Sequence, residues 1–261
     1  MTKAVRILDQ TIDNVTIGDV LLRVEAHISS DRFAYCVTPN VDHIMKLRRD
    51  PEFRAIYDGA DLRVPDGVPL LWAARLLGTP LRARVNGTDL FERLCAHAAD
   101  HGWSVFLLGG AGDTAEQAAA TLARRHPSLR VAGTHSPRMG FEHDPAACKR
   151  ICDAVRASGA DILFVGLGAP KQERWIFEHG AGCGVHFAVG VGVSFSFVAG
   201  AIPRAPLWMQ RGGLEWLWRL TQEPDRLWKR YLVDDLPFLW LVAKQRLQPP
   251  ALTPSLRGNR P

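Results

Sequence analysis

Long hydrophobic runs are missing from this 261-residue chain. The longest apolar stretch of its last quarter, apart from its one proline, is LPFLWLVA at 236–243, far below the roughly 18 residues that a membrane-spanning helix needs. The amino terminus, MTKAVRILDQTIDNVTIGDVLL, interrupts its apolar residues with Asp9, Asp13 and Asp19; without a continuous apolar signal region, export is not expected. Cysteine is sparse: Cys36, Cys95, Cys148, Cys152 and Cys183 form an odd set with no C-x-x-C pair. This reads as reduced thiols in a cytosolic protein, not as a disulfide framework. Cys148 and Cys152 are spaced to share one helix face, where core is the simpler role.

Other absences narrow the chemistry. No D-x-D occurs, so the carboxylate pair with which many nucleotide-sugar enzymes hold a divalent ion is missing. Neither a G-x-S-x-G elbow nor a P-loop lysine is present. His97 and His101 stand at i, i+4, with only Cys95 nearby in sequence as a third ligand. They read as an incidental helix-end pair, and no metal is expected.

What is present is the composition of a packed globular protein, 47% hydrophobic and 23% charged, large enough for a sizeable core. Its net charge of +5 is unevenly placed: residues 1–199 hold 22 Lys/Arg against 22 Asp/Glu, and residues 200–261 hold 10 against 5. Five of the eight tryptophans, Trp208, Trp216, Trp218, Trp228 and Trp240, lie in that cationic part. The spacing predicts two or three short helices there, broken at Pro224 and Pro237. Tryptophan, leucine and phenylalanine mixed with arginine and lysine suit helices lying in an anionic membrane interface. The alternative is a helical subdomain that uses the same tryptophans as core. The terminal QPPALTPSLRGNRP reads as a frayed, disordered tail.

Upstream, short β-branched runs alternate with helical patterns: FAYCVT (33–38), DLRVP (61–65), WSVFLLG (103–109), LRVAG (129–133), DILFVGLG (161–168) and VHFAVGVG (185–192). The pattern predicts an α/β fold, a mostly parallel sheet with helices on both faces. A βαβ unit is clearest at 103–133, with its helix expected from about Thr114 to Arg125.

Ligands of such sheets bind beyond the carboxyl ends of strands. Gly109, Gly110 and Gly112 form a strand-to-helix turn that could face a phosphate, or that exists only for tight packing. A dinucleotide site would also need an acid at the end of the next strand, yet LRVAGTHS has none, which weakens an NAD-dependent oxidoreductase reading. Gly166, Gly168, Lys171 and Gln172 follow a second strand, Thr38 and Asn40 a third, and Asp66 a fourth, with Arg84 and Asn86 shortly beyond. Asp66 sits oddly in RVPDGVPLLW, an acid among residues that avoid water. Its local alternative is to stabilise a turn before Gly67. If these ends share a rim, an acid, an amide, a hydroxyl and a guanidinium converge on it.

In order, the segments TPNVDHI (38–44), RVPDGVPLLW (63–72), RVNGTDLFERL (84–94), FLLGGAGDTAEQAA (106–119), GLGAPKQERWI (166–176), GVGVSFSFVAG (190–200), RAPLWMQRGGLEWLWRL (204–220) and EPDRLWKRY (223–231) resemble the WecG/TagA/CpsF glycosyltransferases, glycosyltransferase family 26. The likeness runs from about residue 10 to 245. It implies a Rossmann-like catalytic domain over 1–199 and a helical membrane-associating appendage over 200–247, with 248–261 as tail. It implies inverting, metal-independent transfer from a UDP-sugar to a polyprenyl-diphosphate-linked sugar, giving a β-linkage in cell-envelope polysaccharide synthesis. The donor is left open among N-acetylmannosamine, its uronic acid and glucose. The enzyme would work in the cytoplasm, peripherally on the inner face of the membrane, with no nucleic-acid partner and with self-association left open.

Carried over by motif, Asp66 becomes the general base, made more basic by Val68, Leu70 and Trp72. Thr38 and Asn40 would hold the sugars, Arg84 a donor or acceptor oxygen, and Gln172 the donor near its anomeric centre. Arg219, Arg226 and Arg230 would meet the charge of the leaving UDP. Gly109, Gly110, Gly140, Phe141, Gly166, Gly168 and Lys171 complete the expected donor-binding set.

Overall fold

The structure is a computed structural model that describes residues 4–247; the expected tail, 248–261, lies outside the described residues. The side chains of Arg226 and Leu232 also lie outside them. Strands β1 (Val5–Ile7) and β2 (Gln10–Ile12) form an antiparallel hairpin. The six strands that follow are β3 (Ala34–Val37), β4 (Leu62–Arg63), β5 (Ser104–Gly109), β6 (Arg130–His135), β7 (Ile162–Gly166) and β8 (Phe187–Gly190). They make one parallel sheet in the order β4-β3-β8-β7-β5-β6.

All six fall on the strands read from the sequence. Strands β3, β5, β7 and β8 are buried nearly throughout and read as continuous apolar runs, whereas the edge strand β6 is half-buried or exposed along its length. Successive side chains alternate faces. Tyr35, Val37, Phe106, Leu108, Leu163 and Val165 enter one core, while Ala34, Cys36, Val105, Leu107, Ile162 and Phe164 enter the other. The helix Thr114–Arg125 spans the residues expected. All five cysteines are free and buried. The β1–β2 hairpin escapes sequence reading for a physical reason. Its turn is Leu8-Asp9, with Leu8 at φ 53°, where the recognisable hairpin turns carry glycine or asparagine.

Beyond residue 200 the chain forms the helices Leu207–Arg211, Glu215–Gln222, Pro224–Lys229 and Pro237–Leu247, with a π-helical turn at Arg230–Asp234. Two or three helices were expected. Pro224 and Pro237 open helices, since a first-turn proline loses no intrahelical hydrogen bond. Phe238 and Val242 join the core beside Leu70, Ala73 and Ala74, and Gln245 Oε1 accepts from the Leu8 N–H at 2.7 Å. Gly213, at φ 73°, lies against Val68, where an added Cβ would come within 2.6 Å of a methyl group. These contacts seat the segment over the helix Val68–Leu76.

The tryptophans are not what seats it. Trp208 and Trp240 are 66% and 64% exposed, and Trp216 and Trp228 are exposed as well, so the expectation that they could serve as core is corrected for these four. Among the described residues no helix is long and apolar enough to cross a membrane.

Candidate active site

Two backbone hydrogen bonds fix the turn that carries Asp66. Its own N–H donates to Pro39 O (2.9 Å), and the Val85 N–H donates to Pro65 O (2.8 Å). The turn after β4 is thus tied to the loop after β3 and to the entry of the helix Gly87–His101. Asn86 caps that helix through Oδ1, which accepts from the Thr88 N–H at 2.9 Å, while its Nδ2 donates to Asp66 Oδ1 at 3.2 Å. A side-chain amide has both a donor and an acceptor end, and here each serves a different element.

Asp66 opens into a cavity of about 780 Å³ at the carboxyl ends of β3, β4, β7 and β8, closed over by residues from beyond position 200. Thr38, Asn40, Arg84, Gly168, Gln172, Arg219 and Arg230 line it too, so tertiary structure brings these predicted residues together. Burial pushes the Asp66 carboxyl up to about 6; Arg84 and Arg219 pull against that, and Glu215 and Asp89 add to it. Of the three side chains expected to desolvate Asp66, Val68 and Trp72 line the cavity, whereas Leu70 is turned into the core.

Arg84 is held from above. Its Nη1 lies 2.8 Å from Glu215 Oε2, and Arg204 joins the same group, with Nε 3.3 Å from Glu215 Oε1 and Nη2 2.7 Å from Asp89 Oδ1. Arg204 lies in the RAPLWMQRGG stretch, where the sequence assigned it no role. Its neighbours come from distant segments, so no local spacing signals it. Arg230 reaches Asp42 Oδ2 at 3.6 Å and Asn40 Oδ1 at 3.5 Å. Burial works against an ionised Asp42, but Arg230 and Lys46 more than offset it and keep its carboxyl below the usual range. Asn40 also caps the helix Val41–Leu47, accepting from the His43 N–H at 3.1 Å. His43 is pushed down to about 3 by burial, so it is neutral and its Nδ1 can accept from Tyr57 Oη at 2.7 Å.

Gln172 is less free than the sequence implied. Its Oε1 accepts from the Gly168 and Gly192 N–H groups, at 3.2 and 3.0 Å, joining the loops after β7 and β8. Its Nε2 donates to Glu173 Oε1 at 2.8 Å. Glu173 is 2% exposed, and burial pushes its carboxyl up to about 7. Sequence reasoning passed over it because an acid in the first turn of a helix normally serves the dipole in solvent.

Among the described residues, the predicted Gly109, Gly110, Gly140, Phe141, Gly166 and Lys171 do not line the cavity. Gly109 and Gly166 are explained by close packing: a Cβ on Gly109 would lie 2.5 Å from Gly166 O, and one on Gly166 would lie 2.8 Å from the Phe195 ring. Gly110 donates its N–H to Gly166 O at 2.9 Å. Gly140 precedes the short helix Phe141–His143, where Phe141 is core. Lys171 pairs with Glu142. Arg226 belongs to the helix Pro224–Lys229, but its side chain is outside the described residues.

Chemically, the cavity offers two carboxylates of raised basicity beside a set of arginines: Asp66, and Asp235, which burial also pushes up to about 6. Of the two, Asp66 is the one held by Asn86, and the combination is suited to removing a proton while negative charge grows nearby. The comparison with known proteins agrees with a group-transfer chemistry. The family model of the glycosyl transferase WecG/TagA/CpsF family matches residues 5–251. The chain is 32% identical over 206 residues to an N-acetylglucosaminyldiphosphoundecaprenol N-acetyl-beta-D-mannosaminyltransferase of Bacillus spizizenii (strain ATCC 23059 / NRRL B-14472 / W23), a match over 79% of this chain and 77% of the relative. It is 29% identical over 195 residues to a protein of the same name from Bacillus subtilis (strain 168), over 75% and 73% of the two chains. With nearly its whole length matched, the chain belongs to the WecG/TagA/CpsF family of glycosyl transferases.

Proposed function

We propose that this glycosyltransferase moves N-acetylmannosamine from its UDP conjugate to a sugar carried on a polyprenyl diphosphate, with inversion to a β-linkage and without a metal, in the synthesis of a cell-envelope polysaccharide. The observation that carries the reading is Asp66, held by Asn86 at the wall of the cavity and facing arginines from both sides. The names of the two relatives favour N-acetylmannosamine over its uronic acid or glucose. A cavity of this size falls within the usual range for sites that enclose small ligands.

In the proposed step the acceptor hydroxyl oxygen attacks the anomeric carbon while Asp66 takes its proton. The bond from that carbon to the diphosphate oxygen breaks, and UDP leaves with the electron pair. Arg84, Arg204, Arg219 and Arg230 are cations of the cavity wall that can meet the charge on the leaving group. Thr38 and Asn40 contact the sugars, and Gln172 shapes the wall against which the donor lies. Exposed Trp208, Trp228, Leu239 and Trp240 suit residence at the inner membrane surface, where the lipid-linked acceptor is found.

Transfer assays with UDP-N-acetylmannosamine, its uronic acid and UDP-glucose, each with a short-chain lipid-diphosphate N-acetylglucosamine and EDTA, test the reading. N-acetylmannosamine should be the sugar transferred, and Asp66→Asn should lower turnover by roughly 100-fold or more. Near-normal activity in that variant would remove Asp66 from the chemistry, and a requirement for added Mg2+ or Mn2+ would overturn metal independence. Stabilisation by NAD in place of UDP would favour an oxidoreductase.

A further inference from the structure

The helix capped by Asn86, beside Asp66, ends at His101, next to the start of β5 and so at the amino-terminal end of the strands, opposite the cavity. There His97 and His101 stand on successive turns with ring centroids 4.0 Å apart, and the Trp103 ring packs on both. The parallel partner helix Ile17–Ser29 brings in what the local sequence lacked, a third donor. Glu25 Oε2 lies 3.9 Å from His97 Nε2. One ligand atom from each of Glu25, His97 and His101 lies within 4.8 Å of the others.

Two further observations make this more than a surface coincidence. His97 Nε2 is buried and has no hydrogen-bond partner, an arrangement that costs stability unless something fills the gap. His101 Nδ1 is 2.9 Å from His97 O. When Nδ1–H donates to that carbonyl, Nε2 keeps its lone pair, the arrangement typical of metal-bound histidines. None of the three residues lines the catalytic cavity.

We propose that Glu25, His97 and His101 form a binding site for a borderline transition-metal ion, Zn2+ or a neighbouring divalent ion, that pins the helices Ile17–Ser29 and Gly87–His101 together. Two imidazoles and one carboxylate suit such ions, whereas Mg2+ and Ca2+ prefer oxygen ligands. Bonds of about 2.0–2.2 Å require the three donors to close by an ångström or so, within the reach of side-chain rotation. His101 is exposed and leaves the site open to solvent for entry. The role is a staple between two helices, independent of the transfer reaction.

The test uses full-length metal-free protein titrated with Zn2+ against a chromophoric zinc indicator, with melting temperature followed in parallel. One Zn2+ should bind per chain and raise the melting temperature, as ligands of the native state do. His101→Ala, a change at an exposed position, should weaken binding at least ~10-fold, and Glu25→Gln should weaken it too. Co2+ should give the visible absorption of a nitrogen- and oxygen-ligated ion without a thiolate charge-transfer band, which separates this site from the cysteines. Equal zinc binding and equal stabilisation in His101→Ala and the parent, or no binding at tens of micromolar Zn2+, would overturn the site and leave the rings as aromatic packing only. Loss of transferase activity on chelation would bear on the proposed reaction and not on this staple, whose readouts are binding and melting.

Discussion

Asn86 holds Asp66 Oδ1 at 3.2 Å with one end of its side-chain amide while the other end caps the helix that leads away from the site. Asn86→Ser separates the two tasks, because serine is a good N-cap but is too short to replace the amide. Folding stability should change by less than about 1 kcal/mol. Turnover should fall. The acid limb of kcat/KM, set near pH 6 by the ionised form of Asp66, should move to higher pH, since a donor to the charged form is lost. An unmoved limb would show that Asn86 is only a cap.

Glu215 touches both Arg84 and Arg204, and its charge raises Asp66. Glu215→Gln should therefore shift the acid limb of kcat/KM to lower pH. It should also lower KM for the UDP-sugar, because the two guanidiniums lose a competing anion. The cost in stability is expected at about 1.5–3 kcal/mol, the range for hydrogen bonds to charged groups. Steady-state kinetics against pH, with a chemical melt, would check all three; a KM that rises would place Glu215 on the donor-binding side.

Glu173 gives a stability signature. Its carboxyl sits at about 7 in the folded chain against 4.5 for an unperturbed group, so between these values the native state binds more protons than the unfolded one. The derivative of unfolding free energy with pH is then negative, and this group's contribution declines as pH rises from about 4.5 to 7. Glu173→Gln keeps an acceptor for Gln172 and removes the ionisation. It should stabilise the protein by up to about 3 kcal/mol at pH 9 and by little at pH 4.5. Urea melts at the two pH values would decide it, with a pH-independent difference counting against a buried titrating acid.

Leu239 and Trp240 are both exposed, whereas their neighbour Leu241 packs partly against the core. Replacing Leu239 and Trp240 by serine should leave the melting temperature nearly unchanged and weaken binding to anionic liposomes by ~10-fold or more, given about 1.5–3 kcal/mol for each large side chain taken out of water. Sedimentation with liposomes at low and high salt would measure it. Binding that is unaffected by the double change would locate the membrane contact elsewhere.

How much of this was legible beforehand follows from the range of each interaction. The inner strands were readable because burial on both faces leaves an uninterrupted apolar run, and the edge strand β6 because it closes a βαβ unit after the helix Thr114–Arg125. The helix Thr114–Arg125 was readable because its apolar face repeats over a long window. The β1–β2 hairpin was not, because a Leu-Asp turn carries none of the residues that mark such turns. Asp66, Thr38 and Asn40 announced themselves as polar residues at strand ends, and the ordered motifs carried the family.

The sequence by itself determined the layered α/β architecture, the strand ends from which a site could be built, and the separation of a neutral front from a cationic, tryptophan-rich end. Tertiary structure alone decided which of the candidates meet. It placed Glu215 and Arg204 over Arg84 and turned Leu70 away from the acid it was expected to surround. It tied Gln172 to the loop backbones and carried Glu25 to the His97–His101 pair. Most of these rest on contacts between groups far apart in the chain, such as Arg84 with Glu215 and Glu25 with His97. Their distances depend on how helices cross the sheet and how the last helices fold back over it, and no local pattern of residue types encodes that geometry.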